Sequence, residues 1–496
     1  MVLALWLTRF GVSIRIVDKL AASGTTSRAL AVQGRTLEFY QQFGLDQAVV
    51  DQGHKVPAVN LWVKARQAAR IPLENLGQGL TPFPFPLIFP QDEHEALLIK
   101  RLSALGIEVE RQVELTGFED RGSEVCATLR KAGNDEVGSY AYLAGCDGAR
   151  SRVREILGTG FPGGTYDHLF YVADVNAAGS PMNGELHVGL DDADFLAVFP
   201  LQRTGTARLI GSVRDDAAKD HELLRFEDVQ GRAMRNLQIE VKNVNWFSTY
   251  RVHHRVAQQF RKGRAFLLGD AAHIHSPVGG QGMNTGIGDA VNLAWKLAAS
   301  LKEPRSSHLL DSYELERIAF ARRLVATTDR AFTAVVSDTA FARFVRTKII
   351  PAFAPRLFHL PSVGRFAFRT VSQIAVNYRD SPLSRGEAGK LRGGDRLPWV
   401  KIGQGEDHNF SPLTSMDWQI HVYGDAAPGL QDLVDRRKIP LHVFAWEARM
   451  RQMGLMRNAA YLIRPDGYVG LADAGAGAAA IDTYLDERNL TAIRPA

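Results

Sequence analysis

Residues 263–297 read GRAFLLGDAAHIHSPVGGQGMNTGIGDAVNLAWKL. Ala265 to Leu268 is an unbroken apolar run of strand length, closed by Gly269 and Asp270. Pro277-Val278-Gly279-Gly280-Gln281-Gly282 forms a tight loop, because proline fixes φ and glycine reaches conformations other residues avoid. From about Met283, apolar Ile287, Val291, Leu293, Ala294 and Leu297 mark a helix. In open α/β sheets ligands bind at the carboxyl ends of strands, where Asp270 stands. Its carboxylate can accept from ligand hydroxyls. The glycines allow backbone to approach a flat ligand without a Cβ clash. The helix start carries partial positive charge and unpaired N–H groups, which favour negative charge on the ligand. The plainer alternative is a Gly-rich turn ahead of an ordinary helix.

Toward the N-terminus, Val2–Phe10 is apolar and compact, Gly11 follows, and Ser13–Val17 leads to Asp18. This pattern predicts a short helix, a C-cap glycine, a buried strand and an acid at its end. In a dinucleotide-binding βαβ unit that acid bonds the adenosine ribose. A Gly-x-Gly-x-x-Gly turn stands about 20 residues before it. Counting back from Asp18 falls just before Met1, so a Rossmann-like unit would lack its first strand and glycine loop. The expectation is a natural start upstream of Met1, or weak dinucleotide binding by this chain. An edge strand with a solvated Asp18 is the alternative.

The 263–297 segment resembles the second FAD-binding motif of the flavoprotein aromatic hydroxylases related to p-hydroxybenzoate hydroxylase and phenol hydroxylase. That motif is a strand, Gly-Asp, then a Pro- and Gly-rich loop opening a helix. The resemblance implies FAD contacts from Gly269, Asp270, Pro277, Gly280, Gly282, Met283 and Asn284, and makes Asp18 the ribose acid. YLAGCDGARSRVR, residues 142–154, resembles the family's Asp-Gly motif between the flavin and nicotinamide nucleotide sites. Asp147 matches its acid, and Ser151 can cap the helix that follows. SRALAVQGRTLE, residues 27–38, resembles the loop and helix after the ribose acid. There Arg28 matches an arginine that reaches the FAD pyrophosphate with a bidentate guanidinium. Arg35 is either a second such contact or a surface helix residue. Gln91, ahead of an expected helix Ala96–Leu105, matches a side chain near the flavin ribityl chain. A simple helix N-terminus is the alternative there.

Residues 165–255 alternate in strand fashion at Glu185–Val188, Phe195–Pro200, Ala207–Val213 and Trp246–Ser248. An antiparallel sheet there would form a substrate wall, with Phe199, Trp246 and Pro277 as pocket candidates. The two aromatics read equally well as ordinary core. Residues 331–382 read as a helical extension and 383–397, rich in glycine and charge, as a linker. In 398–496 the pattern is strand Gln419–Tyr423, helix Leu430–Arg436, strand Leu441–Phe444, strand Ala460–Arg464, turn Pro465–Gly467, strand Tyr468–Leu471 and a final helix. This resembles the thioredoxin-like C-terminal domain of phenol hydroxylase relatives. Without a CxxC pair a redox role is excluded, and the likeness implies a structural or dimer-forming one. The fold expected is therefore α/β. A Rossmann-like FAD-binding domain spans 1–164 and 256–330, followed in space by a mixed-sheet substrate domain over 165–255 and a thioredoxin-like C-terminal domain.

Composition narrows the function. The 496 residues are 45% hydrophobic and 23% charged, enough for large cores in two or three domains. The net charge of +5 is spread along the chain, which suits a phosphate-bearing cofactor and not nucleic acid. No apolar run is long enough to span a bilayer, and no basic region precedes the apolar start, so no membrane and no signal peptide are expected. Two cysteines, Cys126 and Cys146, and no metal-ligand spacing point to a reduced, cytoplasmic chain without metal.

The resemblance implies a monooxygenase in which NADPH or NADH reduces FAD. O2 adds at C4a to give a hydroperoxide, and its distal oxygen passes to an aromatic ring, phenolic or polyketide-like. No catalytic residue is identified, although His187, His253 and His275 are candidate bases. The partners expected are that small molecule and O2, with a homodimer open. Two alternatives remain: a same-fold reductase or dehydrogenase without oxygen transfer, and a flavin-free remnant serving as an interaction protein.

Overall fold

Alternation of apolar side chains builds the largest sheet. The computed structural model describes residues 1–24, 29–190, 195–201, 205–213, 224–229, 231–303, 307–336 and 339–493. Among them, eight strands pair in the order His273–Ile274, Glu240–Val256, Gly163–Ala178, Thr206–Ser212, Leu196–Pro200, Leu186–Gly189, Ala58–Val63 and Arg66–Pro72. One face is apolar: Tyr171, Ala173, Val175, Leu196, Val198, Ala207 and Leu209 pack on Phe226 and Met234. The other face turns toward the glycine loop.

This corrects the boundary expected at residue 165. The strands Ala58–Val63 and Arg66–Pro72 belong to the same sheet, because Ala58–Val63 pairs in parallel with Leu186–Gly189. Two of the strands run to 16 and 17 residues, longer than the pattern suggested. Bulges within them change which residues face the core and blur the alternation.

The N-terminal unit is organised around the helix Gly282–Lys302. Its flank is buried on nearly every side, with Trp295 fully enclosed. The helix Val2–Arg9 packs along it, and Trp6 sits among Phe10, Phe39 and Phe43. Gly11 (φ +72) then turns the chain toward the strand Ile16–Asp18, which pairs in parallel with Val109–Arg111. Leu143–Gly145 pairs in parallel with Ala265–Leu267, as the quoted stretch requires. The expected helix at 96–105 in fact begins five residues earlier and spans Gln91–Ser103.

Helices Leu309–Val336, Ala340–Phe344, Ile350–His359 and Pro361–Val371 follow. The stretch 383–397 is not a linker. Arg385–Ala388 and Leu391–Arg392 are strands of the C-terminal sheet, and Leu383 and Leu397 are buried. That sheet joins a parallel strand–helix–strand unit, Gln419 to Phe444, to an antiparallel pair, Ala460–Ile463 with Val469–Asp473, and the helix Ala478–Glu487.

A buried ionic cluster fastens this domain to the first. Glu316 accepts from Arg464 at 2.8 and 3.0 Å, from Lys296 at 2.8 Å and from Ser381 at 2.6 Å. Asp466 holds Arg464 at 2.7 Å and the Trp295 indole at 3.1 Å. Arg35, the uncertain residue of the sequence, is buried in the same seam, on Glu38 and the Asp466 carbonyl. Desolvated charges of this kind persist only when every partner is present. Among the described residues no helix is long and apolar enough to cross a membrane, and no group of three or more His, Cys, Asp or Glu could hold a metal.

Candidate functional site

Where the strand Ala265–Leu267 ends, Gly269 (φ +58) bends the backbone and presents Asp270. Gly279 (φ +76) and Gly280 (φ +62) then allow the loop to pack flat on the strand Ala31–Val32. A Cβ on Gly280 would lie 2.6 Å from that of Ala31, so no other residue fits there. Between the loop, the helix start at Gly282–Met283, residues Ala29–Gln33 and the Gln91 helix lies a cavity of about 840 Å³. This is within the range of cofactor and drug-sized sites. Leu186, Phe199 and Ile210 of the large sheet close one side, and Phe358, Phe368 and Val371 another.

Of the residues singled out in the sequence, Gln91, Gly269, Asp270, Pro277, Gly280, Gly282, Met283 and Phe199 all line this cavity. Gln91 also borders a second, smaller cavity of about 180 Å³ with Asp18, Glu95 and Arg111. Asp18 there holds Arg111 at 2.9 Å and caps the Leu20 N–H. Arg111 and Glu95 gave no signal in the sequence. Arg28 lies outside the described residues.

Three expectations are corrected. Asn284 does not line the cavity. It is buried, with its amide spent on the frame: Oδ1 accepts from Gln33 N and Thr36 Oγ1, and Nδ2 donates to the Ala31 and Gly280 carbonyls. Asp147 accepts from Val153 N at 3.0 Å, while Cys146 and Gly148 form the wall at that point. Trp246 is displaced by strand order. Phe199 opposes Arg208, Arg208 opposes Asp174, and Asp174 opposes Trp246, so all four share one face. Only Phe199 reaches the cavity; Trp246 lies at the far end of the row under the Arg208 guanidinium.

Of the candidate bases, His187 is buried between Trp62 and Asn183, and His253 bonds Thr165. Neither is in the cavity wall, whereas His275 is. Its Nδ1 lies 2.8 Å from the Ser276 carbonyl, which can only accept, so Nδ1 carries the proton. Nε2 is then a bare acceptor, buried and without a hydrogen-bond partner among the described residues, close to Gly282. Burial, with His273 nearby, pushes this imidazole down to about 4, so it is neutral at pH 7. His94, also in the wall, is pushed down to about 4 by burial and bonds Tyr40.

The sequence missed the residue that fixes the Gly269–Asp270 turn. Asp289, inside the Gly282–Lys302 helix and fully buried, accepts from Gly269 N at 2.9 Å, His273 Nε2 at 2.7 Å and Arg317 Nε at 2.6 Å. Burial pushes its carboxyl up, but Arg317 and His273 more than offset this and hold it below the usual range. Its only sequence signal was an acid on an otherwise apolar helix flank.

The arrangement suits a long dinucleotide. There are two adjoining cavities, a loop whose glycines leave no Cβ in the way, a helix start with unpaired N–H groups, and an orphaned acceptor at Nε2 of His275. Residues 1–328 match the family model described as FAD binding domain. The chain is 36% identical over 388 residues to the 6-methylpretetramide 4-monooxygenase of Streptomyces rimosus, covering 77% of this chain and 68% of that protein. It is 29% identical over 464 residues to the dialkyldecalin synthase of Streptomyces rugosporus, covering 92% and 90%. Among solved structures, the anhydrotetracycline hydroxylase OxyS from Streptomyces rimosus superposes with a TM-score of 0.78 at 28% identity, covering 98% of this chain and 95% of that one.

Proposed function

The chain belongs to the FAD binding domain family of flavin-dependent monooxygenases, and from that premise we propose that it hydroxylates an aromatic, phenolic or polyketide-like substrate. The reaction consumes NAD(P)H, a proton and O2, and returns NAD(P)+, water and a ring bearing one new hydroxyl. Bound FAD supplies the hydride acceptor and the activation of O2. The observation that carries this reading is the meeting of two surfaces in one cavity, the glycine loop and helix start on one side and the apolar sheet wall of Leu186, Phe199 and Ile210 on the other.

The protein's own residues have separate tasks. With FAD bound, Asp18 would take ribose hydroxyls at the smaller cavity, Gln91 would reach the ribityl chain, and Arg28 would take the pyrophosphate. Asp270 accepts from ribityl hydroxyls. The backbone of Pro277, Gly280, Gly282 and Met283 would hold the flavin ring system, and the helix start would offer N–H groups to negative charge that develops on it. Asn284, Asp147 and Asp289 act as positioning residues for these elements. The apolar sheet and Phe358, Phe368 and Val371 exclude water and hold the aromatic ring. His275, neutral, offers Nε2 to a donor on cofactor or substrate.

Oxidation of NAD(P)H by the flavin-loaded protein, measured across a panel of phenols and polyketide aromatics, tests this. A suitable aromatic accelerates oxidation and yields hydroxylated product. Equal rates with and without every aromatic would sink the proposal. The relative named as a dialkyldecalin synthase favours a second reading, a flavoprotein of this fold that transfers no oxygen. Substrate turnover with no added oxygen would establish that reading instead.

A further inference from the structure

Nine of the sixteen large apolar side chains that stand exposed among the described residues fall between Phe341 and Val371, at 36% to 77% exposure. Phe341, Phe344, Phe353, Leu357, Leu360 and Phe366 stand out most, on the helices Ala340–Phe344, Ile350–His359 and Pro361–Val371 and, for Leu360, at the junction of the last two. An outward array of this size on one run of helices marks a contact surface. The inner side of two of these helices faces the cavity, which Phe358 and Phe368 wall together with Val371, so eight of the nine belong to the outer side.

Charge identifies what covers the outer side. Residues 339–371 hold six basic side chains, Arg343, Arg346, Lys348, Arg356, Arg365 and Arg369, and no carboxylate. All but Arg346 are exposed. The strand Arg66–Pro72, which packs on the Ile350–His359 helix, adds Arg66 and Arg70, the latter paired with Glu185. The adjoining loop, whose Gly77 packs on Phe368, carries one acid, Glu74. A second copy of the chain would set like charge against like. Aromatic and aliphatic side chains interleaved with Arg and Lys, without acids, are the pattern of helices that lie in a lipid interface.

We propose that this helical face docks on an anionic phospholipid surface, the Phe and Leu side chains entering the acyl boundary and the cations pairing with lipid phosphates. The docking is peripheral, and it revises the expectation that no membrane is a partner. It is independent of the reaction assigned to the cavity.

Flotation of the flavin-loaded protein with vesicles of phosphatidylcholine, with and without phosphatidylglycerol, tests it. The protein should float with the anionic vesicles, fail to float with neutral ones, and detach at high salt. Phe341→Ser/Phe344→Ser/Phe353→Ser/Phe366→Ser should weaken binding at least about tenfold. Arg343→Gln/Lys348→Gln/Arg356→Gln/Arg365→Gln should do the same, at about tenfold or more. Both sets are exposed, and retained flavin absorbance reports their folding. Absence of binding to anionic vesicles overturns the proposal, as does binding that neither set reduces. So does a dimer in sedimentation that the Phe set converts to monomer, because a second copy would then cover the face. Recovery of the face only in complex with an acidic protein, with no lipid binding, likewise overturns it.

Discussion

Replacing Asp289 by Asn tests how the Gly269–Asp270 turn is held. Oδ1 of Asp289 faces the Arg317 Nε–H, and Oδ2 faces both Gly269 N–H and His273 Nε2. An amide keeps only one acceptor atom. If its NH2 replaces Oδ1, donor meets donor at Arg317. If it replaces Oδ2, the His273 tautomer can adapt, but the Gly269 N–H cannot. Either way a donor is orphaned in a fully buried site, at a cost of about 1–3 kcal/mol. The guanidinium also loses its counter-charge, and breaking a buried pair costs about 3–5 kcal/mol. Arg317 keeps Tyr378 Oη and the Thr285 carbonyl, which favours the lower end, about 3 kcal/mol in all. Urea unfolding followed by tryptophan fluorescence reads this directly. FAD titration should show about tenfold weaker binding, since the turn carrying Asp270 loses its anchor. Adding Arg317→Gln removes the unpaired charge and should recover about 1–3 kcal/mol, the coupling of the pair. A single variant within about 1 kcal/mol of wild type, with unchanged FAD affinity, would refute this reasoning.

Three further outcomes are expected. Asp270→Ala should weaken FAD binding by about 1.5–3 kcal/mol, the worth of a charge-assisted hydrogen bond, with little change in the urea midpoint of the flavin-free protein; full flavin content after dialysis would count against it. Phe199→Ala should raise KM for the aromatic, whereas Trp246→Ala should leave KM near wild type; the reverse would show the sheet face misread. Burial lowers His94 from 6.5 to about 4 in the folded protein, so between these values the unfolded state binds more protons and stability is lost as pH falls. From pH 7.5 to 5 that loss is about 2 kcal/mol, absent in His94→Gln, and equal losses in the two proteins would dismiss burial of a neutral His94 as its cause.

Much of the site was legible because it is contiguous. Strand, Gly-Asp, glycine loop and helix follow one another within 263–297, and each step has a local physical signature. The C-terminal strands were legible for the same reason, being short runs separated by turn residues such as Pro465-Asp466-Gly467. What was not legible depended on pairing across the chain. Trp246 was misassigned because alternation gives a face, while strand order decides distance along it. Asn284 and Asp289 sit within the motif helix, yet their tasks arise from Gln33, Thr36 and Arg317, far off in sequence. Residues 383–397 looked like a linker because glycine and charge dominate. Arg385–Ala388 nevertheless joins the C-terminal sheet through its parallel pairing with Val469–Asp473, far along the chain.

Isotopically heavy O2 gives the most direct test of the central claim. The flavin-loaded protein, an aromatic that accelerates NAD(P)H oxidation, and labelled O2 are combined for a single turnover, and the product is weighed. The account predicts a hydroxylated ring carrying one heavy oxygen atom, with the second atom in water. A product whose added oxygen is unlabelled, or NAD(P)H consumed with hydrogen peroxide as the sole product, would contradict it.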